Sequence, residues 1–154
     1  MKISTKGRYG LRLMLDLALH LDGSFISLKE IAARQQMPEK YLEQIITPLS
    51  RAGFLRGARG AQGGYQLTRT PNDYTVGMIL RTMEGDLSVV SPVDEQKETG
   101  DMAVSHVING VWQQMNKAIE NVVDHITLAD LLDNHRHATG QQALHNNRGN
   151  EVLP

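Results

Sequence analysis

Apolar residues recur at helical spacing from the start of the chain. Between Thr5 and Leu21, Leu11, Met14, Leu15, Ala18 and Leu19 form one stripe, and Gly10, Leu13, Leu17 and Leu21 a companion stripe. That period predicts a first helix with a broad buried face. Asp22-Gly23-Ser24 ends it, and Phe25-Ile26 reads as a short strand or an apolar plug. Ser27-Leu28-Lys29-Glu30 is a capping box, which predicts a second helix with Leu28, Ile31 and Ala32 facing inward. Gln35-Gln36-Met37 makes a turn, and Pro38 opens a third helix at a position where its missing N–H costs nothing. That helix runs to about Arg51, with Leu42, Ile45, Ile46 and Leu49 as its buried stripe. Pro48 is expected to kink its last turn, and Gly53 to stop it.

The period then changes from helical to alternating. Phe54-Leu55-Arg56 and Tyr65 to Arg69 read as half-buried strands around the glycine-rich Gly57–Gly64. A short helix follows from Thr75 to Met83, with Val76, Ile79, Leu80 and Met83 on one face and Gly85 closing it. Residues 86–101 lack periodicity and are expected to be a sensor or linker loop. From about Met102 to His125 the apolar residues Val104, Val107, Ile108, Val111, Trp112, Met115, Ile119, Val122, Val123 and Ile126 step by three and four. This is the seam of a helix that packs on another helix, most simply the same one from a second copy. Leu128, Leu131 and Leu132 fit a short following helix, and 134–154 is expected to be a disordered tail. The fold class is mainly α with a small β-wing. Residues 1–85 make a winged helix-turn-helix, 86–101 the loop, and 102–133 a dimerisation helix with its short successor.

Charge sharpens this picture. The 154 residues carry a net charge of −1, but 1–70 hold eleven Lys and Arg against five Asp and Glu, and 71–154 hold five against twelve. A basic front half suits a polyanion, and an acidic rear half should face away from it. The order helix, turn, helix, basic hairpin then points to DNA. Glu43 and Gln44 on the outer face of the third helix can read bases, with Pro38, Glu39, Lys40 and Tyr41 beside them. Arg56, Arg59, Gln62 and Gly63 would place the hairpin on the adjacent groove. Lys6, Arg8, Tyr9 and Arg12 cluster at the start of the first helix, where free N–H groups suit a phosphate.

Other chemistry is poorly supported. The chain has no cysteine, which removes disulfides, thiolate metal sites and thiol nucleophiles. Neither a phosphate loop with its lysine nor a nucleophile–base pair is evident, so an enzyme is not expected. A non-DNA adaptor that uses the winged helix for protein contact is the remaining alternative. His135-x-His137 lacks further ligands nearby. No run is long and apolar enough to span a membrane, and Met1 to Lys6 lacks a signal-peptide stretch, so a cytoplasmic protein is expected.

Several motifs together resemble a known family. Met1-Lys-Ile-Ser-Thr-Lys-Gly-Arg-Tyr-Gly10, Tyr41-Leu-Glu-Gln44, Pro48-Leu-x-x-Ala-Gly53, Arg59-Gly-x-x-Gly-Gly-Tyr65 and Ile126-Thr-Leu-Ala-Asp-Leu131 are similar to those of the bacterial winged-helix regulators that include IscR, NsrR and CymR. The resemblance covers about residues 1–132. It implies sequence-specific DNA binding as a homodimer on a roughly palindromic operator, usually with repression. Members that sense iron–sulfur status or nitric oxide carry three cysteines before the dimerisation helix, to hold a cluster such as 2Fe-2S. Here that region offers only Ser91, Pro92, Met102, Ser105 and His106, with His106 as the one candidate residual ligand. The resemblance leaves open a cluster-free, CymR-like regulator controlled through a partner protein, or an IscR-like chain whose cysteines are replaced.

Overall fold

The computed structural model describes the backbone of residues 1–148 and the side chains of residues 1–142. Helix α1 (Thr5–Leu19) starts at Ser4, whose hydroxyl accepts from the Gly7 N–H. Helix α2 (Leu28–Gln35) carries the complete capping box between Ser27 and Glu30. Helix α3 (Glu39–Arg51) has Pro38 as N-cap and Pro48 in its last turn. Strands β1 (Leu55–Ala58) and β2 (Gly64–Leu67) pair antiparallel, Leu55 opposite Leu67 and Ala58 opposite Gly64. The strands thus run further into the glycine-rich segment than alternation alone indicates, because backbone pairing needs no side-chain pattern. Ile26 exchanges both backbone hydrogen bonds with Tyr65, at 2.9 and 2.8 Å, so Phe25-Ile26 adds a bridge to the hairpin.

One core holds these pieces. Leu13, Met14 and Leu17 of α1, Ile31 of α2, and Leu42, Ile45 and Leu49 of α3 are buried together with Ile79 and Leu128. Tyr74 is fully buried, and its hydroxyl organises the base of the hairpin. It donates to the Phe54 carbonyl at 2.9 Å and accepts from the Thr68 and Arg69 N–H groups at 3.1 and 3.0 Å.

Helix α4 (Val76–Glu84) crosses α1, and a one-turn helix α5 (Pro92–Glu95), capped by Ser91, interrupts the loop expected over 86–101. Helix α6 (Met102–Val123) is the long helix. Its apolar seam divides between two uses. Val123 is buried with Val76, Leu80 and Leu87, and Ile119 and Ile126 pack against the same cluster. These three residues therefore anchor α6 to the winged domain, which corrects their assignment to a seam facing only a second copy. Val104, Val107, Ile108, Val111, Met115 and Val122 remain exposed, and Trp112 is half-buried.

A second correction concerns the tail. Helix α7 (Leu128–Arg148) continues well past Leu132, so residues 134–148 are helical, not disordered; residues 149–154 lie outside the described residues. No proline interrupts this stretch, Arg136 pairs with Asp133 one turn earlier at 3.4 Å, and Ala, Gln, Arg and Leu favour the helix. Low hydrophobicity signals the lack of a buried face, which is a weaker statement than the lack of a helix.

Candidate nucleic-acid interface

The candidate recognition surface is built on α3. Because Leu42, Ile45, Ile46 and Leu49 turn into the core, the opposite face presents Glu39, Lys40, Glu43, Gln44 and Thr47 to solvent. Pro38 is exposed at its start, and Tyr41 is half-buried beside it. The turn before α3 depends on Gln36, which takes the left-handed conformation at φ 53°. The N–H groups of Gln36 and Met37 return to the carbonyls of Ala33 and Ala32, closing the end of α2.

The hairpin forms a wing beside α2. Gly64 is required there because a Cβ would lie 2.1 Å from the Ile26 carbonyl oxygen, and one on Gly63 would lie 2.3 Å from that of Ala58. Arg59 and Gln62 are exposed at the tip. An open groove between the start of α2 and the wing is lined by Ser27, Leu28, Arg59 and Gly63.

Two of the sequence expectations meet internal competition. Arg56 lies across from Gln66 and donates to its Oε1 from Nε at 3.1 Å and Nη2 at 2.6 Å, with the guanidinium 6.0 Å from the Phe25 ring. Much of its donor fork serves the hairpin. The start of α1 already has an anion: the Glu84 carboxylate accepts from the Ser4 N–H at 2.9 Å and from its hydroxyl at 2.5 Å. The Ser4 hydroxyl takes the Gly7 N–H, so side chains, not a vacant helix end, are what this region offers a phosphate. Lys6 and Arg8 are exposed there, and Tyr9 is half-buried.

Asp16 was not singled out by the sequence. It is only 3% exposed, yet it receives Arg34 Nε at 3.0 Å, Arg34 Nη2 at 2.8 Å and Gln35 Nε2 at 2.9 Å. The hydrogen-bonded carboxylate raises the pKa of the Arg34 guanidinium, which holds the cation in place over Asp16. An acid on an otherwise apolar face of a helix is the signal that could have found it. On the far side of the domain, Arg81 of α4 holds Asp124 at the end of α6, with 2.9 Å between Nη2 and Oδ2, and this pulls the Asp124 pKa below its ordinary value.

The linker region does not suit an iron–sulfur cluster. Hydroxyls, a thioether and one imidazole are poor substitutes for thiolates, and His106 stands exposed on α6. Among the described residues no group of three His, Asp or Glu side chains could hold a metal ion, and no helix is long and apolar enough to cross a membrane.

Comparison with known proteins agrees with this architecture. A family described as Rrf2, iron-dependent transcriptional regulator, matches residues 3–134. The HTH-type transcriptional regulator CymR of Bacillus subtilis is 40% identical over 131 residues, 85% of this chain and 89% of the relative. The solved structure of CymR, the global cysteine regulator of B. subtilis, superposes with a TM-score of 0.73 over 85% of this chain and 95% of that one. The structure of T. potens IscR is 44% identical with a TM-score of 0.72, covering 90% of each chain.

Proposed function

The chain belongs to the Rrf2 family of DNA-binding transcriptional regulators, and from that premise we propose that it acts as a homodimeric repressor on a roughly palindromic operator in the bacterial cytoplasm. The observation that carries this reading is the exposed outer face of α3, on which Glu43 and Gln44 stand free of side-chain partners among the described residues. Glu43 suits a cytosine amine and Gln44 an adenine edge. Lys40 and Tyr41 suit the flanking phosphates, and Arg59 at the wing tip suits an adjacent narrow minor groove. Two copies joined through the exposed half of α6 would address half-sites separated by whole helical turns.

Control by an iron–sulfur cluster does not fit the side chains before α6. A cluster-free regulator, switched through a partner protein that engages the segment from Asp86 to Asp101, fits them better. The test of DNA reading uses a duplex selected by this protein from a random library and a scrambled duplex of equal length. Arg59→Ala should weaken binding to both and reduce the dependence on salt by about one ion. Glu43→Ala should relax base choice at one position while leaving the scrambled duplex unaffected. Binding of both duplexes unchanged by both substitutions would remove the proposed surface.

A further inference from the structure

We infer that Asp16 is a positioning residue for DNA binding, acting through Gln35 to aim the Arg12 guanidinium at the phosphate backbone beside the recognition helix. The inference rests on the DNA-binding reading above and adds to the expected phosphate contact of Arg12 the internal support that aims it.

The geometry forms a relay with a direction. Asp16 is a buried acceptor, so the Gln35 amide must turn its NH2 toward it, at 2.9 Å. That choice fixes the other end of the amide as an acceptor, and Gln35 Oε1 receives Arg12 Nε at 3.2 Å. With Nε engaged, the two Nη groups of Arg12 are left as an exposed pair of donors, and Arg12 makes no ion pair with a carboxylate among the described residues. The guanidinium lies 5.3 Å from the Tyr9 ring centre, and Tyr9 meets Tyr41 edge to face at 6.0 Å. Tyr41 is on the first turn of α3. Arg12 is therefore held at the junction of α1 with the recognition helix.

The same carboxylate explains why the relay is rigid. Arg34 clamps Asp16 through two donors, and residues 34 and 35 directly precede the left-handed Gln36 of the turn. One buried acid thus fixes the end of α2, the entry to α3 and the aim of Arg12. A planar guanidinium with one edge held and one free suits a phosphate, because orientation entropy is lost in folding and not on binding.

The test compares Gln35→Leu, Arg12→Ala and the double variant, each with the selected and scrambled duplexes and a thermal melt. Gln35→Leu keeps the volume of a half-exposed side chain, so it is expected to fold with Tm near the parent. Arg12→Ala should lose roughly tenfold in affinity on both duplexes, with a shallower salt slope. Gln35→Leu should lose several-fold, and the double variant little more than Arg12→Ala alone. Asp16→Asn, measured well below its own Tm, should reproduce the Gln35→Leu loss. Losses of Gln35→Leu and Arg12→Ala that multiply, or an Arg12→Ala variant with parental affinity and salt slope, would overturn the relay. A parent chain that binds neither duplex would overturn the DNA-binding reading beneath it.

Discussion

Replacing Val107 by aspartate should dissociate the proposed homodimer without unfolding the subunit. In the isolated chain Val104, Val107, Ile108, Val111 and Met115 are between 42% and 70% exposed, with Val107 at the top of that range. Full burial of such a side chain is worth about 1.5–3 kcal/mol. Weighted by these exposures, covering the five contributes about 4–8 kcal/mol per helix and about twice that in a symmetric pair. Association itself costs about 4–15 kcal/mol, so the two are comparable and single residues decide the outcome. Val107 alone accounts for about 1–2 kcal/mol per copy, hence about 2–4 kcal/mol per dimer. Its loss raises Kd roughly 30- to 900-fold, before any cost of burying a carboxylate. Sedimentation velocity over a wide concentration range reads this directly. The far-UV spectrum should not change, because the side chain touches little of its own chain. Val123→Ala is the contrast: Val123 lies in the cluster with Val76, Leu80 and Leu87, so its loss should lower Tm and leave association largely intact. A Val107→Asp variant that dimerises as tightly as the parent, or a parent that sediments as a monomer throughout, refutes the assignment of α6.

Three further outcomes follow from contacts inside the subunit. Tyr74→Phe removes the hydroxyl that serves Phe54, Thr68 and Arg69 and should cost about 1–3 kcal/mol in denaturant unfolding; a cost near zero would mean the hairpin base has other support. Gly64→Ala drives a Cβ into the Ile26 carbonyl and should lower Tm and displace the wing, read as lost DNA affinity at a temperature where the variant is folded. The third concerns acid. The Asp124 pKa is depressed chiefly by its hydrogen bond with Arg81, so the pair stabilises the fold above the ordinary carboxylate value of about 4. That contribution fades as pH falls through the lower, folded value. Asp124→Asn should therefore flatten the acid limb of stability below about pH 4, and parallel acid limbs for parent and variant would count against the pair.

The sequence made the DNA-reading half legible because periodicity and capping there serve local structure. The Ser27–Glu30 box, the Pro38 start and the stripe from Leu42 to Leu49 all specify elements within a few residues of themselves, and the structure places each where its pattern indicates. What sequence left hidden depends on residues far apart in the chain. Glu84 occupies the end of α1 that looked vacant, eighty residues away from Ser4. Gln66 claims Arg56 across the hairpin. Asp16 reads as a lone polar residue until Arg34 and Gln35 close over it.

The same distinction accounts for the divided seam of α6. Steps of three and four residues mark which positions are apolar, and they carry no information about which of two neighbours will cover them. The ion pair between Arg81 and Asp124 and the cluster around Val123 join the C-terminal end of α6 to α4, whose own last residue, Glu84, holds the start of α1. The exposed, N-terminal part of α6 follows directly on the linker that ends at Asp101. A partner gripping that linker would therefore act on a helix whose N-terminal part faces the second copy and whose other end is fixed. The fixed end is tied through a single nine-residue helix to the element that carries Arg12.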